Sequence, residues 1–214
     1  MISCRQREAA RAETIPQLEA AGLAPRVFLS PCDESMPAGG RGNALVSQKA
    51  LQAALEASAD LLFTEDDVDL APDFPVFLEL ARAANQVTYL YLHDVGHYMA
   101  DRYGLSLAHA IQRGERIDAG LYPLKRQTEL SGAQCIYIPH DALVRLPVHL
   151  LGLGKIPIDR WLSLHWIDRG IRPLVALPHP VQHRQVRVAR ARPLAKSPDK
   201  YSKSFHLERR WPGG

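Results

Sequence analysis

The sequence predicts an α/β fold, because two kinds of apolar segment alternate along it. Short runs rich in β-branched and aromatic residues are followed by longer stretches rich in Ala, Leu and Glu, as in strands connected by helices. The chain has 214 residues, 46% hydrophobic and 23% charged, which is the composition of an ordinary globular domain. We therefore expect a single compact domain with a sheet resembling a doubly wound one, in which ligands bind at the carboxyl ends of the strands.

Local sequence features place the elements in chain order. A first strand covers residues 2–4. Thr14, Pro16 and Gln17 then predict the start of a helix that Gly22 ends, since these residue types favour the two ends of helices. Residues 93–125 are predicted to form a loop with one short helix. The other expected strands are 27–29, 61–64, 87–92, 133–138 and 171–177, and the other expected helices are 43–58, one starting near Phe74, 141–146 and 159–169.

Charge is distributed unevenly along the chain. The net charge is +3, but residues 183–214 contain nine Lys and Arg against two acids, a local charge of +7 that leaves −4 for the rest. A basic segment of this kind favours contact with a polyanion. We therefore divide the chain into a domain of residues 1–182 and a basic C-terminal arm of residues 183–214.

Several classes of protein are not expected from this sequence. It lacks the roughly 18 uninterrupted apolar residues of a membrane span, and its start lacks the apolar core of a secretory signal. Its three cysteines are an odd number without metal-ligand spacing, which argues against a disulfide framework or a zinc knuckle. We expect a cytoplasmic protein with reduced thiols and no transmembrane segment.

Three consecutive acids, Glu65, Asp66 and Asp67, follow the predicted strand 61–64. Neighbouring carboxylates repel one another, and a divalent cation offsets that repulsion. Oxygen ligands suit Mg²⁺ or Mn²⁺, which often bind one or two carboxylates and leave other positions to water and substrate phosphates. The alternative is a solvated acidic turn that caps the next helix, the role expected of Asp69.

The acidic run and its surroundings resemble a known enzyme family. The run Leu61–Leu70, followed by Pro72-Asp73-Phe74, looks like the Glu-Asp-Asp variant of the metal-binding motif of GT-A glycosyltransferases, in particular those that add sugars to bacterial lipopolysaccharide and to collagen. Other parts follow in a similar order over residues 2–183, namely Arg7, Gly42-Asn43, Gly132-Ala133 and Pro157-Ile158-Asp159. The resemblance implies a GT-A-like, Rossmann-type mixed sheet flanked by helices, followed by the basic arm.

The resemblance also implies an activity and assigns roles to the acids. The enzyme would transfer a sugar from a nucleotide-sugar donor to an acceptor hydroxyl, with Mn²⁺ or Mg²⁺. Asp67 would bind the metal, and either Glu65 or Asp66 would contact the ribose or act through water. A C-terminal histidine, either His179 or His183, would complete the metal shell, and of the two we select His183.

Further site residues are expected around this centre. Asp159 is the candidate base for the acceptor hydroxyl, or else merely the cap of the predicted helix that begins there. Ser3, Arg7 and Asp33 lie at or just after the ends of the first two strands and could meet the base, diphosphate and ribose of the donor. Arg41 is a further candidate phosphate contact, since the guanidinium fork suits phosphate oxygens.

Three questions stay open at this stage. The arm could neutralise the donor diphosphate or bind a polyanionic acceptor, either DNA with modified bases of the phage type or an anionic glycolipid. The same acids could instead serve phosphoryl transfer or nucleotide hydrolysis, because a metal and a diphosphate do not determine which bond breaks. In a third, non-catalytic interpretation the chain is a nucleic-acid-binding module.

Overall fold

The computed structural model describes residues 1–30, 41–92, 118–125, 129–130, 132, 134–151 and 156–184. Within these residues the chain is a mixed α/β structure. The strands are β1 (Ile2–Cys4), β2 (Phe28–Ser30), β3 (Leu61–Thr64), β4 (Val68–Leu70), β5 (Thr88–Tyr89), β6 (Gly120–Pro123), β7 (Cys135–Ile138), β8 (Leu174–Leu177) and β9 (Val181–His183). The helices are α1 (Glu8–Ala20), α2 (Arg41–Glu56), α3 (Phe74–Ala84), α4 (His140–Leu143), α5 (Val148–Leu151) and α6 (Ile158–Asp168).

The largest sheet has five strands in the order β3-β7-β5-β8-β6. Only β5 and β8 pair in parallel, and the other three neighbouring pairs are antiparallel. The sheet is thus mixed, as expected, and it departs from the parallel pattern of a doubly wound sheet. Two smaller sheets accompany it: β1 pairs with β2 in parallel, and β4 pairs with β9 in antiparallel.

Helices cover both faces of the large sheet, because its strands are apolar on both sides. Along β7, Ile136 and Ile138 belong to one buried cluster, which includes Leu51 of α2 and Leu162 of α6. The alternate residues of β7 belong to a second cluster with Phe77 of α3. Successive side chains of a strand point to opposite faces, so this apolar run supports two cores.

The first helix begins earlier than the sequence predicted. It starts at Glu8, and Thr14 lies within it rather than at its N-terminus. The Thr14 hydroxyl is buried and donates to the carbonyl oxygens of Asp66, at 2.9 Å, and Val68, at 3.1 Å. A side chain that is typical of a helix start is used here to hold a neighbouring segment. Gly22 does follow the end of the helix, with a φ of +76° that favours glycine.

The antiparallel pair β4–β9 brings the end of the described chain back to its middle. Val68 is the register partner of His183, and Leu70 is that of Val181. The expected boundary between residues 182 and 183 therefore falls inside β9. The arm beyond Arg184 lies outside the described residues, as do residues 93–117, most of the predicted loop.

Two further findings bear on the initial expectations. Cys4 is disulfide-bonded, so the expectation of reduced thiols is wrong for this residue, while Cys135 is free and buried.

None of the helices in the described part of the chain has the length and apolar character to cross a membrane.

Candidate functional site

The acidic run occupies the connection between β3 and β4. Asp66 and Asp67 are 1% and 7% exposed, whereas Glu65 is half-buried. The backbone N–H of Glu65 donates to the carbonyl of Gln134 at 2.9 Å, and Thr14 holds the following turn from the other side. The backbone of the acidic run is thus fixed from both sides, and its two aspartates are buried rather than lying on a solvated turn.

Ser3 and Arg7, from β1 and the residues just after it, contact these carboxylates. The Ser3 hydroxyl donates to Asp66 Oδ2 at 2.5 Å. The Arg7 guanidinium forms ion pairs with both aspartates, through Nη1 to Asp66 Oδ1 at 2.9 Å and through Nη2 to Asp67 Oδ2 at 2.8 Å. The planar fork of arginine suits such a double contact, so Arg7 bridges the two acids.

His183 approaches the same carboxylate from the end of β9. Its Nε2 lies 3.2 Å from Asp67 Oδ2, and its ring stacks over that of Tyr91 with 6.2 Å between centroids. The β4–β9 pairing explains this approach, because it puts His183 opposite Val68, the residue after Asp67. Residues that are far apart in sequence therefore meet at Asp67.

Mutual proximity perturbs the ionisation of every acid in this cluster. Burial, followed by repulsion from Asp67, raises the pKa of Glu65 to about 8. Burial also raises the pKa of Asp66, and the Ser3 hydrogen bond and the Arg7 charge offset it only in part. At Asp67 the effect of burial is outweighed by the hydrogen bond and charge of His183 and by Arg7, so its pKa is lowered.

The pKa of His183 moves in the direction that favours its charged form. Burial alone would lower it, but the hydrogen bond to Asp67 and the charges of Asp67 and Glu65 outweigh burial and raise it. Asp67 and His183 consequently behave as an ion pair, with Arg7 as a second positive charge beside it.

The residues can also be compared with the requirements of a divalent metal. In the described ranges, no three His, Cys, Asp or Glu side chains are grouped so as to hold a metal ion by themselves. Asp67 and His183 adjoin each other, however, and Asp67 Oδ1 is buried without a hydrogen-bond partner among the described residues. Since Mg²⁺ and Mn²⁺ often take only one or two protein ligands, this donor set fits a site completed by water and a diphosphate.

The remaining predicted site residues are Asp159, Asp33 and Arg41, and only the side chain of Asp159 is described. Asp159, in the first turn of α6, accepts hydrogen bonds from the backbone N–H of Gly132 at 3.2 Å and of Arg160 at 2.8 Å. Asp33 lies outside the described residues, and Arg41 is the first residue of α2, with a side chain that is likewise outside the description.

Three residues of the cluster's surroundings were not predicted from the sequence. The sequence predicts Thr14 as a helix cap, Tyr91 as a strand residue only, and Arg184 as one charge of the basic arm. The Thr14 hydroxyl bonds to the acidic run, the Tyr91 ring stacks against His183, and the Arg184 guanidinium bonds to Val68 and Asp69 just after the run. Local patterns carry no information about such contacts, but the pairing of two short strands could have been sought in the apolar residues Val68, Leu70 and Val181.

Comparison with known proteins adds no identification. No protein-family model matches the chain, and no curated protein matches it.

Proposed function

We propose that this protein is a metal-dependent glycosyltransferase of the GT-A type, which transfers a sugar from a nucleotide-sugar donor to an acceptor hydroxyl. One observation carries the proposal. Asp66 and Asp67 are buried at the end of β3, and Ser3, Arg7 and His183 converge on them from both ends of the described chain. Buried ionisable groups with perturbed pKa values concentrate at ligand-binding and catalytic sites, and this cluster has both features.

Asp67 and His183 are the residues that would hold Mn²⁺ or Mg²⁺. The support is that Asp67 Oδ1 has no hydrogen-bond partner within the described part of the chain and that Asp67 Oδ2 lies 3.2 Å from His183 Nε2. When bound, the metal would act as a Lewis acid that stabilises the negative charge developing on the departing nucleoside diphosphate. To serve as a ligand His183 has to be neutral, so it gives up its proton when the metal binds.

The remaining residues would bind and orient the donor. The Arg7 fork already engages carboxylate oxygens, and the same geometry suits the oxygens of a diphosphate. Asp66 has one oxygen on Ser3 and the other on Arg7, so it is suited to orienting them. The Glu65 side chain keeps some solvent exposure, and we assign it the ribose-side contact.

An acceptor hydroxyl needs a base to receive its proton if the anomeric centre is inverted in one step. We propose Asp159 for this role. It lies in the first turn of α6, and its hydrogen bond to Gly132 connects α6 to the segment that leads through Gln134 to Glu65. These two contacts, from Asp159 to Gly132 and from Glu65 to Gln134, support the assignment.

The proposal is tested by thermal unfolding with nucleoside diphosphates and nucleotide sugars, each with and without Mn²⁺. We expect one nucleotide to raise the unfolding temperature only in the presence of Mn²⁺, because a ligand that binds the folded state stabilises it. Asp67→Asn should abolish this shift. Asp141→Asn, at an exposed position in the first turn of α4, is the matched control and should retain it.

Product analysis then distinguishes the enzyme classes. Release of a nucleoside diphosphate together with sugar transfer or hydrolysis supports the proposal, whereas release of a monophosphate indicates phosphoryl transfer or nucleotide hydrolysis instead. Tight DNA binding that Asp67→Ala leaves unchanged, with no Mn²⁺-dependent shift for any nucleotide, would show a nucleic-acid-binding module.

A further inference from the structure

We infer that Arg184 is a positioning residue, which holds the end of β9 so that His183 stays against Asp67. The inference rests on the proposed function of the Asp67–His183 pair and adds a residue to it. Arg184 directly follows His183 near the start of the basic arm and is the last residue that the structure describes. Its sequence context alone marks it as one more charge of that arm.

The backbone and side chain of Arg184 attach it to the segment that carries Asp67. Its backbone N–H donates to the carbonyl oxygen of Asp67 at 2.5 Å. Its guanidinium donates from Nε to Asp69 Oδ1 at 2.9 Å and from Nη2 to the carbonyl of Val68 at 3.0 Å. Nη2 also pairs with Asp69 Oδ1. These contacts extend the pairing of β4 and β9 by one residue past His183.

A second layer holds the partners of Arg184 in place. Its Nη1 forms an ion pair with Glu13 of α1 at 2.7 Å. Gln17, one turn further along α1, donates to Asp69 Oδ1 at 3.0 Å and accepts from the backbone N–H of Leu70 at 2.7 Å. Arg184 therefore joins β9 to both β4 and α1, which are already connected to each other.

His183 needs such an attachment because β9 is short. The strand has three residues, and His183 is the last of them. Terminal residues of short ladders open most easily. Without the Arg184 side chain, the imidazole would lie at the end of a three-residue strand that is less firmly attached to β4, although its 3.2 Å approach to Asp67 depends on that attachment.

The contacts also explain why arginine suits this position. The guanidinium reaches Asp69, the Val68 carbonyl and Glu13 from separate nitrogen atoms. An ammonium group offers one compact charge and cannot serve these three directions with a rigid fork. We therefore expect Arg184→Lys to restore only part of what Arg184→Gln loses.

The first test measures the position of the His183 ring in the full-length protein without any ligand. In wild type, nuclear Overhauser contacts are expected between the stacked rings of His183 and Tyr91. We expect them to weaken several-fold in Arg184→Gln and to keep their intensity in Arg82→Gln. The control removes an exposed ion pair of α3, Arg82 with Glu79 at 2.5 Å. Unchanged ring contacts in Arg184→Gln would overturn the inference.

Asp69→Asn weakens the contact between Arg184 and Asp69 by changing the acceptor, and it leaves Arg184 in place. It serves as the second variant should Arg184→Gln fail to fold. Weaker His183–Tyr91 ring contacts in Asp69→Asn support the inference, and full-intensity contacts contradict it.

The second test measures Mn²⁺ affinity by paramagnetic titration in a double-mutant cycle. His183→Ala and Arg184→Gln should each weaken binding about 10-fold, the scale on which residues supporting a metal ligand act. If Arg184 acts through His183, the double variant binds no more weakly than His183→Ala. Multiplicative losses would overturn the inference. If wild type binds no Mn²⁺, the proposed function fails, and the ring contacts still decide the role of Arg184.

Discussion

At the scale of single residues, the site consists of buried acids that are paired with positively charged side chains. Asp66 and Asp67 are buried, and each forms an ion pair with Arg7. His183 adds a further contact to Asp67. Removing one member of such a group leaves the others unpaired in a poorly solvated place, and that costs more than the pair itself contributes. Among the three acids of the run, Glu65 has the pKa that is raised furthest above its ordinary value.

The pH dependence of stability should report on Glu65. Burial and repulsion from Asp67 raise its pKa from 4.5 to about 8, so the folded protein holds this proton at pH values where the unfolded chain has released it. The free energy of unfolding therefore falls as the pH rises from 4.5 to about 8. Glu65→Gln cannot ionise, and we expect a shallower fall in denaturant titrations performed in metal-free buffer.

The raised pKa of His183 acts in the same direction. Its stabilising contribution is present below its ordinary pKa of 6.5 and is lost as the pH rises through the folded value, so some slope remains in Glu65→Gln. Glu79→Gln, at an exposed position on α3, should match wild type. A slope in Glu65→Gln equal to that of wild type would contradict the assignment to Glu65.

At the scale of elements, short strands and helix ends place the side chains. β4 and β9 have three residues each, yet their pairing brings His183 to the acidic run. The start of α6 similarly places Asp159, whose two oxygens accept from backbone N–H groups on either side. This bonding is also what a purely structural residue at a helix start would show, so function and structure have to be separated by experiment.

Asp159→Asn separates them. Asparagine keeps one acceptor oxygen and is a good residue at helix starts, but it loses one of the two backbone N–H contacts, so the thermal unfolding temperature should fall by only about 2–4 °C. Loss of a general base should lower turnover by about 100-fold or more. Turnover is measured as nucleoside diphosphate release at saturating donor, with unfolding temperature recorded in parallel. Near-normal turnover would remove Asp159 from the proposed catalytic role.

At the scale of the whole molecule, a body of negative charge precedes a strongly basic segment. Residues 183–214 carry +7 and the preceding residues −4. Arg184 is already engaged with Asp69 and Glu13, so the charges available to a partner follow it. The binding of a polyanion by these residues would depend strongly on salt, because each neutralised phosphate releases counterions.

DNA binding should show that salt dependence if DNA is the acceptor. Log affinity is expected to fall linearly with log salt concentration, and the combined variant Lys196→Gln, Lys200→Gln and Lys203→Gln should reduce the slope by about three. Arg82→Gln, in the body, should leave the slope unchanged. Fluorescence anisotropy with a labelled duplex measures both quantities. A flat salt response in wild type would exclude DNA as the polyanionic partner.

Several parts of this molecule could be predicted from its sequence alone, because they depend on neighbours in the chain. The strand Leu61–Thr64 is apolar on both sides and is bounded by acids, and it lies where the sequence predicted it. The start of α3 at Phe74, after Asp73, also follows local composition. The same local order predicted an acidic cluster at the end of a strand.

Other parts depend on contacts between segments that are distant in the chain, and only the tertiary structure decided them. Three contacts of this kind join residues far apart in sequence. They are the antiparallel pairing of β3 with β7, the hydrogen bond from Thr14 to Asp66, and the hydrogen bond from Arg184 to Asp69. The energy of such contacts comes from pairing and burial across the fold rather than from any residue's own preference. A window of neighbouring residues therefore contains the acids but not the histidine and arginines that surround them.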